Sequence, residues 1–116
     1  MTYCLFLDDE REPNRRALVY RKSEIVICRC YHDAVNMVKE RGFPIEVCFD
    51  HDLGIYEGNG HDFAKWLINY LLDNKMKFPY GFVYSVHSMN PVGKRNIIHT
   101  MDNAIEEIGE ENEPRK

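Results

Sequence analysis

The sequence lacks two features that define large classes of proteins, a surplus of positive charge and a long hydrophobic run. Its 116 residues include 15 lysines and arginines against 19 aspartates and glutamates, a net charge of -4. Affinity for duplex DNA depends mainly on surplus lysine and arginine, so this balance excludes nonspecific duplex binding and leaves a small nucleotide as a ligand. No stretch approaches the roughly 20 apolar residues of a membrane span, so we expect no membrane partner.

The sequence also lacks a secretory signal and the cysteine spacing of a zinc site. The four cysteines all fall in apolar runs: Cys4, Cys28, Cys30 and Cys48. Cys28 and Cys30 are two residues apart, which places both on one face of a strand and differs from a zinc knuckle. We therefore expect reduced core cysteines and a cytoplasmic protein.

A glycine-rich stretch at residues 54–60 lacks the lysine and the spacing of a P-loop. We interpret it as a loop that lies over one edge of a sheet.

Four short apolar runs alternate with segments of helical periodicity. We predict strands at residues 3–7, 24–30, 45–49 and 82–86. Residues 14–20 form a short helix or an irregular connection, and longer helices are predicted over 33–40, 62–73 and from Asn90-Pro91 to about residue 107. The last helix should bury Val92, Ile97, Ile98, Met101 and Ile105. Residues 1–108 then form a single domain and residues 109–116 a polar tail.

This alternation predicts an α/β fold with a parallel sheet and right-handed crossovers. We expect a flavodoxin-like three-layer sandwich, truncated to about four parallel strands in the order 2-1-3-4. In that order the carboxyl ends of strands one, three and four lie side by side. Strand four lies near an edge, where the last helix covers it or a second copy pairs with it in a homodimer.

Acidic residues follow two of these three strands directly. Asp8 and Asp9 follow strand one, while Asp50 and Asp52 follow strand three. Carboxylates crowded at adjacent strand ends are costly unless they bind a cation, and oxygen ligands favour Mg²⁺ or Mn²⁺. Asp9 and Asp50 are the candidate direct ligands, with Asp8 binding directly or through water and Asp52 through its carbonyl or an outer contact. The alternative is that some of these acids cap helices or face solvent.

Two histidines flank the acidic group. His51 follows strand three and His87 follows strand four. We interpret them, with Asp50, as the candidate catalytic residues, in which the histidines serve as general acid and base. Ser88 and Asn90, at the start of the last helix, are candidate donors to a phosphate. The other three histidines fit structural roles: His32, His61 and His99.

Three motifs in order resemble the cyclic-phosphate processing receiver-like family, a divergent branch of the response-regulator receiver fold. They are Leu5-Phe6-Leu7-Asp8-Asp9-Glu10-Arg11-Glu12-Pro13, Phe49-Asp50-His51-Asp52-Leu53-Gly54, and His87-Ser88-Met89-Asn90-Pro91-Val92-Gly93 with Asn96-Ile97. The resemblance groups Asn96 with the substrate-binding residues. It also implies that Asp8, Asp9 and Asp50 match the positions that hold magnesium in ordinary receivers, where the third acid is the phosphoacceptor.

Two departures from ordinary receivers favour hydrolysis over signalling. The polar residues after the last predicted helix are too few for a fifth strand and helix, so the receiver lysine has no counterpart. Histidine and serine occupy the hydroxyl position after strand four. The leading hypothesis is a metal-dependent phosphodiesterase that hydrolyses a cyclic phosphate, either a 2',3'-cyclic RNA or nucleotide end or a small cyclic nucleotide. The alternatives are a divergent receiver phosphorylated on Asp50 and a module that binds a nucleotide or a partner without turnover.

Overall fold

The computed structural model describes residues 2–54 and 57–114. Its strands are β1 (Tyr3–Leu7), β2 (Glu24–Cys28), β3 (Glu46–Phe49) and β4 (Val83–Val86). Its α-helices are α1 (Tyr31–Arg41), α2 (Gly60–Asp73) and α3 (Pro91–Ile108), and a 3-10 turn spans Arg15–Ala17. Within the described residues no helix combines the length and the hydropathy of a membrane span.

The four strands form one parallel sheet in the order β2-β1-β3-β4. This confirms the predicted strand order and receiver-like α/β architecture. The register pairs Leu7 with Phe49 and Phe49 with Val86, so β1, β3 and β4 end level with one another. The polar residues that follow these strands consequently meet at one edge.

One face of the sheet is covered by all three α-helices. Side chains at alternate positions of β1 and β3 are buried against them, including Leu5, Leu7, Val47 and Phe49. From the helices the buried set includes Ala34, Val38, Phe63, Leu67, Leu71, Ile97 and Met101. Trp66 packs against this cluster as a partly buried side chain.

The opposite face carries no α-helix among the described residues, so the expected three-layer arrangement is wrong in this respect. A small cluster of Cys4, Phe6, Cys48 and Leu18 lies there, beneath the connection between β1 and β2. That connection contains only the 3-10 turn. The buried carboxylate of Glu46 holds it by accepting hydrogen bonds from the backbone N–H groups of Val19 (3.0 Å) and Tyr20 (2.9 Å).

Local signals set the starts of α2 and α3. Asn59 and Asp62 form a reciprocal capping box at the start of α2. Asn90 caps α3 and Pro91 is its first residue, as predicted. Val92 is 57% exposed, contrary to expectation, because the buried stripe of α3 runs instead through Gly93, Ile97, Met101 and Ala104.

Other boundaries differ modestly from the predictions. Parallel pairing of β2 ends at Cys28, and Cys30 serves as the N-cap of α1, so these two cysteines do not share a strand face. All four cysteines are free, and Cys30 is only partly buried. Residues 55 and 56 of the predicted glycine-rich loop lie outside the described residues.

The start of the predicted tail is attached to the domain. The backbone N–H of Phe78 donates to the carbonyl of Gly109 (3.0 Å), and the N–H of Glu111 donates to the carbonyl of Phe78 (2.8 Å). These bonds place residues 109–111 beside the turn that precedes β4, which polarity alone did not indicate.

Candidate functional site

The level ends of β1, β3 and β4 bring Asp8, Asp50 and His87 together. One ligand atom from each lies within 4.8 Å of the others. Two carboxylates and an imidazole at this spacing are suited to a divalent cation or to proton transfer. We refer to these three residues as the strand-end cluster.

Asp8 is fully buried, yet its charge is well compensated. Its Oδ1 atom accepts hydrogen bonds from the backbone N–H groups of Glu10 (2.9 Å) and Arg11 (2.8 Å), and its Oδ2 atom lies 2.9 Å from His87 Nε2. Burial favours the neutral acid, but these hydrogen bonds outweigh it and lower the pKa of Asp8. Since Oδ1 already accepts two bonds, Oδ2 is the atom left to contact a further ligand.

Asp50 is in the opposite electrostatic situation. Burial and the negative charge of Asp8 raise the pKa of Asp50, although His87 and a hydrogen bond from the backbone N–H of His51 (2.9 Å) oppose the shift. Both causes, burial first and the charge of Asp8 second, disfavour the ionised form of Asp50, and a bound cation would offset both.

The backbone around Asp50 is held by a close approach of α2. The N–H of Gly60 donates to the carbonyl of His51 at 2.9 Å. A Cβ atom on Gly60 would lie 2.8 Å from the carbonyl carbon of Asp50 and closer still to its oxygen. Glycine is therefore required at position 60 for the first turn of α2 to support the end of β3.

An open cavity of about 290 Å³ lies over the cluster. It is lined by Asp8, Asp9, Glu10, Arg11, Asp50, Asp52, Gly54 and Met89. Three of the four predicted metal ligands therefore join Asp8 in one cavity, and we call it the acidic cavity. Asp9 also lies close to Gly54, where a Cβ atom would be 3.1 Å from Asp9 Oδ2. The roles of Asp8, Asp9, Asp50 and Asp52 as metal ligands stay a prediction.

His51 lies to one side of the strand-end cluster. Its Nδ1 atom is 2.9 Å from Asp52 Oδ1, and its side chain is 15% exposed. The ring packs against the first turn of α3 at Gly93, where a Cβ atom would lie 2.5 Å from His51 Cδ2. His51 therefore reaches the acidic cavity through Asp52, whereas His87 is a member of the cluster itself.

The orientation of His87 follows from its neighbours. Its ring stacks on Phe6 with centroids 4.9 Å apart and planes 1° from parallel. Because an ionised Asp8 only accepts hydrogen bonds, the contact between them requires the proton on Nε2. In the neutral imidazole Nδ1 is then the unprotonated nitrogen, a suitable proton acceptor.

The three predicted substrate-binding residues separate into two groups. Asn90 accepts a hydrogen bond from the N–H of Gly93 (2.9 Å), and its own N–H donates to Ser88 Oγ (3.1 Å). Both residues therefore shape the turn between His87 and α3. Asn96 is exposed on α3 and lines a different cavity with Arg95, Ile98, His99, Asp102 and Asn103.

Sequence reasoning missed Arg11. This residue supplies the one cationic side chain among the described residues that line the acidic cavity. Its Nη1 atom donates to the carbonyl of His87 at 3.2 Å, which links the end of β4 to the residues that follow β1. The signal in the sequence was its position directly after Asp8-Asp9-Glu10, where an arginine offsets three acids.

The remaining histidines lie in other surroundings. His61 Nε2 is 2.8 Å from Thr100 Oγ1, which joins α2 to α3, and His99 Nε2 is 3.1 Å from Asn103 Nδ2. His32 packs edge-to-face on Tyr31. These contacts agree with the structural roles expected for them.

The donor set fits a divalent cation of the Mg²⁺ or Mn²⁺ type. Asp8 and Asp50 offer carboxylate oxygens at the required spacing, and Asp9 and Asp52 add further oxygens in the same cavity. The same oxygen donors also suit Mn²⁺, whereas His87 Nε2 carries its proton towards Asp8 and does not bind the ion in this arrangement.

Comparison with known proteins agrees with this geometry. Residues 3–103 match the family described as the cyclic-phosphate processing receiver domain. The chain belongs to this family. The match to the cyclic-phosphate processing receiver domain includes all the residues of the strand-end cluster and the acidic cavity.

No functionally curated protein matches the chain. Among solved structures, the chain is similar to NtrX from Brucella abortus with a TM-score of 0.46 and 16% identity. The similarity covers 92% of this receiver domain and 28% of the NtrX chain.

Proposed function

We propose that the protein is a metal-dependent phosphodiesterase that hydrolyses a cyclic phosphate, either a 2',3'-cyclic RNA or nucleotide end or a small cyclic nucleotide. The observation that carries this proposal is the strand-end cluster, in which His87 contacts Asp8 beside Asp50. A phosphoacceptor site needs its carboxylates and a cation, whereas an imidazole held against them adds a group for proton transfer.

Asp8 and Asp50 would hold the cation, with Asp9 and Asp52 as the further oxygen donors in the acidic cavity. When bound, the cation would offset the charge of the phosphate and of the crowded carboxylates. Arg11 would also offset the charge of the phosphate, since its guanidinium lines the acidic cavity and has N–H groups beyond the one bonded to His87.

Hydrolysis adds a water oxygen to phosphorus and breaks one of the two ring P–O bonds. The water loses a proton and the departing alkoxide gains one, so the reaction needs a base and an acid. His87 is the stronger candidate for the base, because its contact with Asp8 fixes Nε2–H and leaves Nδ1 to accept the proton. His51 and Asp52, joined at 2.9 Å, are the candidate pair for the opposite transfer.

The test is incubation of the purified chain with Mg²⁺ or Mn²⁺ and a panel of 2',3'-cyclic and 3',5'-cyclic nucleotides. We expect linear monophosphates, detected by ³¹P NMR. His87→Ala should lower kcat by about 10²- to 10⁴-fold, the usual contribution of a general acid or base. His99→Ala, which removes an exposed histidine of α3, is the matched control and should leave kcat unchanged. Substrates that stay intact across the whole panel would refute the proposal.

A divergent receiver is the second candidate, because Asp50 directly follows β3 and lies beside the buried Asp8, the arrangement of a phosphoacceptor and a metal ligand. Labelling with acetyl phosphate that disappears in Asp50→Asn, without turnover of cyclic nucleotides, would favour it. Tight nucleotide binding that survives His87→Ala without turnover would favour a binding module instead. The small nucleotide or RNA end remains the proposed partner in both hydrolysis and sequestration.

A cytoplasmic location is part of the same proposal. It is supported by the four free cysteines, three of them buried, which are typical of a reducing compartment.

A further inference from the structure

A second cavity lies on the helix-free face of the sheet. It has a volume of about 230 Å³ and lies beneath the connection between β1 and β2. The buried side chains of Phe6, Leu18 and Cys48 form its apolar floor, and the exposed side chains of Arg11 and Asn14 form part of its rim. We call it the side cavity.

The side cavity adjoins the acidic cavity through two residues. Arg11 lines both, and His87 lines the side cavity while its Nε2 atom contacts Asp8 in the strand-end cluster. A molecule with a phosphate over the cluster would therefore have its neighbouring group at the entrance of the side cavity.

The size of the side cavity limits that group. Pockets for drug-sized ligands measure roughly 300–1,000 Å³, so about 230 Å³ is room for a single ring system rather than a dinucleotide.

The chemistry of the walls narrows the choice further. A heteroaromatic ring presents apolar faces and a polar edge, which matches an apolar floor of Phe6, Leu18 and Cys48 below a polar rim. The amide of Asn14 and the guanidinium of Arg11 can donate to ring or sugar oxygens. A glycerol or other small polyol would place hydroxyl groups against that apolar floor at a cost.

We propose that the side cavity binds the base of a nucleoside cyclic phosphate whose phosphate lies at the strand-end cluster. This inference rests on the proposed function, because it assigns the substrate class of the same site. Arg11 is then a positioning residue between the two cavities, held to the end of β4 through its bond to the carbonyl of His87.

The experiment fills the side cavity from its rim. Ala17 is exposed on the 3-10 turn and lines the cavity, so Ala17→Trp should occupy it without disturbing the core. Ser85→Phe approaches from β4 and serves as an independent second variant. Val19→Trp is the matched control, since Val19 is 66% exposed in the same connection and does not line the cavity.

Binding of cytidine 3'-monophosphate and of glycerol 3-phosphate would be measured by isothermal titration calorimetry, with and without Mg²⁺. We expect the nucleotide to bind wild type and Val19→Trp equally, and both filling variants to weaken it by about tenfold or more, a loss of about 1.4 kcal/mol. Glycerol 3-phosphate should bind more weakly than the nucleotide and be insensitive to the filling variants.

Two results would overturn the assignment of the side cavity: unchanged nucleotide binding in both filling variants, or equal affinity for the two phosphates. The test of the side cavity can fail or succeed independently of the test of the proposed hydrolysis. Nucleotide binding with the expected variant pattern but no turnover would support the side cavity and refute the hydrolase. Equal turnover of nucleoside and glycerol cyclic phosphates, unaffected by the filling variants, would support the hydrolase and refute the side cavity.

Discussion

The contact between His51 and Gly93 offers a direct test of where the histidine ring lies. Gly93 is a buried helical residue in the first turn of α3, so alanine is compatible with its backbone. A Cβ atom there would lie 2.5 Å from His51 Cδ2 and 2.7 Å from Nδ1. Optimal contacts between such atoms are about 3.5–4.0 Å, so Gly93→Ala must displace the ring by about 1 Å.

Two opposing effects determine the result. Overpacking costs about 1–3 kcal/mol, while alanine in place of glycine stabilises a helix by up to about 1 kcal/mol. We expect Gly93→Ala to destabilise the wild type by about 1–2 kcal/mol on balance. In a His51→Ala background the overlap is absent, and Gly93→Ala should stabilise the protein by about 0.5–1 kcal/mol.

Urea unfolding of wild type, both single variants and the double variant measures this coupling. The cycle should give an interaction free energy of about 1.5–3 kcal/mol, within the range of residues in contact. Equal effects of Gly93→Ala in both backgrounds would refute the placement of His51 against α3. The same result would also argue against the conclusion that His51 reaches the acidic cavity only through Asp52.

Three further predictions concern stability. Glu46→Gln should cost about 1–3 kcal/mol in urea unfolding, because the amide nitrogen would face one of two buried backbone donors. Glu24→Gln, at an exposed ion pair, should have a smaller effect. Asn59→Ala should cost about 1 kcal/mol by removing the cap of α2, measured by the same assay. His61→Gln should reduce the loss of stability on acidification. Burial, assisted by Lys65, lowers the pKa of His61 below 6.5. The unfolded chain therefore binds the proton more tightly, and stability falls as the pH drops from above 6.5 towards the folded-state pKa.

For each of these predictions, one experimental outcome would contradict it. Equal losses in Glu46→Gln and Glu24→Gln would mean that Glu46 does not anchor the β1–β2 connection. An Asn59→Asp variant should retain the cap, so a loss equal to that of Asn59→Ala would argue against the capping box. An unchanged pH dependence in His61→Gln, measured by thermal unfolding between pH 5 and 8, would exclude His61 as its source.

Much of the sheet was predictable because its signals are local. The apolar runs of β1, β3 and β4 each stop at a polar residue, and parallel connections allow few strand orders. That order placed the acids and histidines after β1, β3 and β4 at one edge, but it did not select Asp8, Asp50 and His87 among them. The start of α3 was likewise indicated by short-range signals, Asn90 and Pro91, whereas α2 begins at Gly60, two residues before its predicted start, because Asn59 caps it.

The positions of side chains that pack between elements were harder to predict from the sequence. Alternation along β3 does not say whether His51 turns towards Asp50 or towards α3, since the answer depends on the absence of a Cβ atom at Gly93. The role of Arg11 depends on a carbonyl contributed by the end of β4, 76 residues away. Such contacts are decided by packing at long range, which no local pattern records.

By itself the sequence determined the strand ends and their acidic and imidazole residues, because strand length and polarity are properties of neighbouring residues. The tertiary structure decided that all three α-helices pack on one face and that a cavity lies on the other. It also decided which histidine joins the cluster. Both outcomes depend on how elements distant in the chain pack around one another, since the burial of apolar surface is optimised over the whole core.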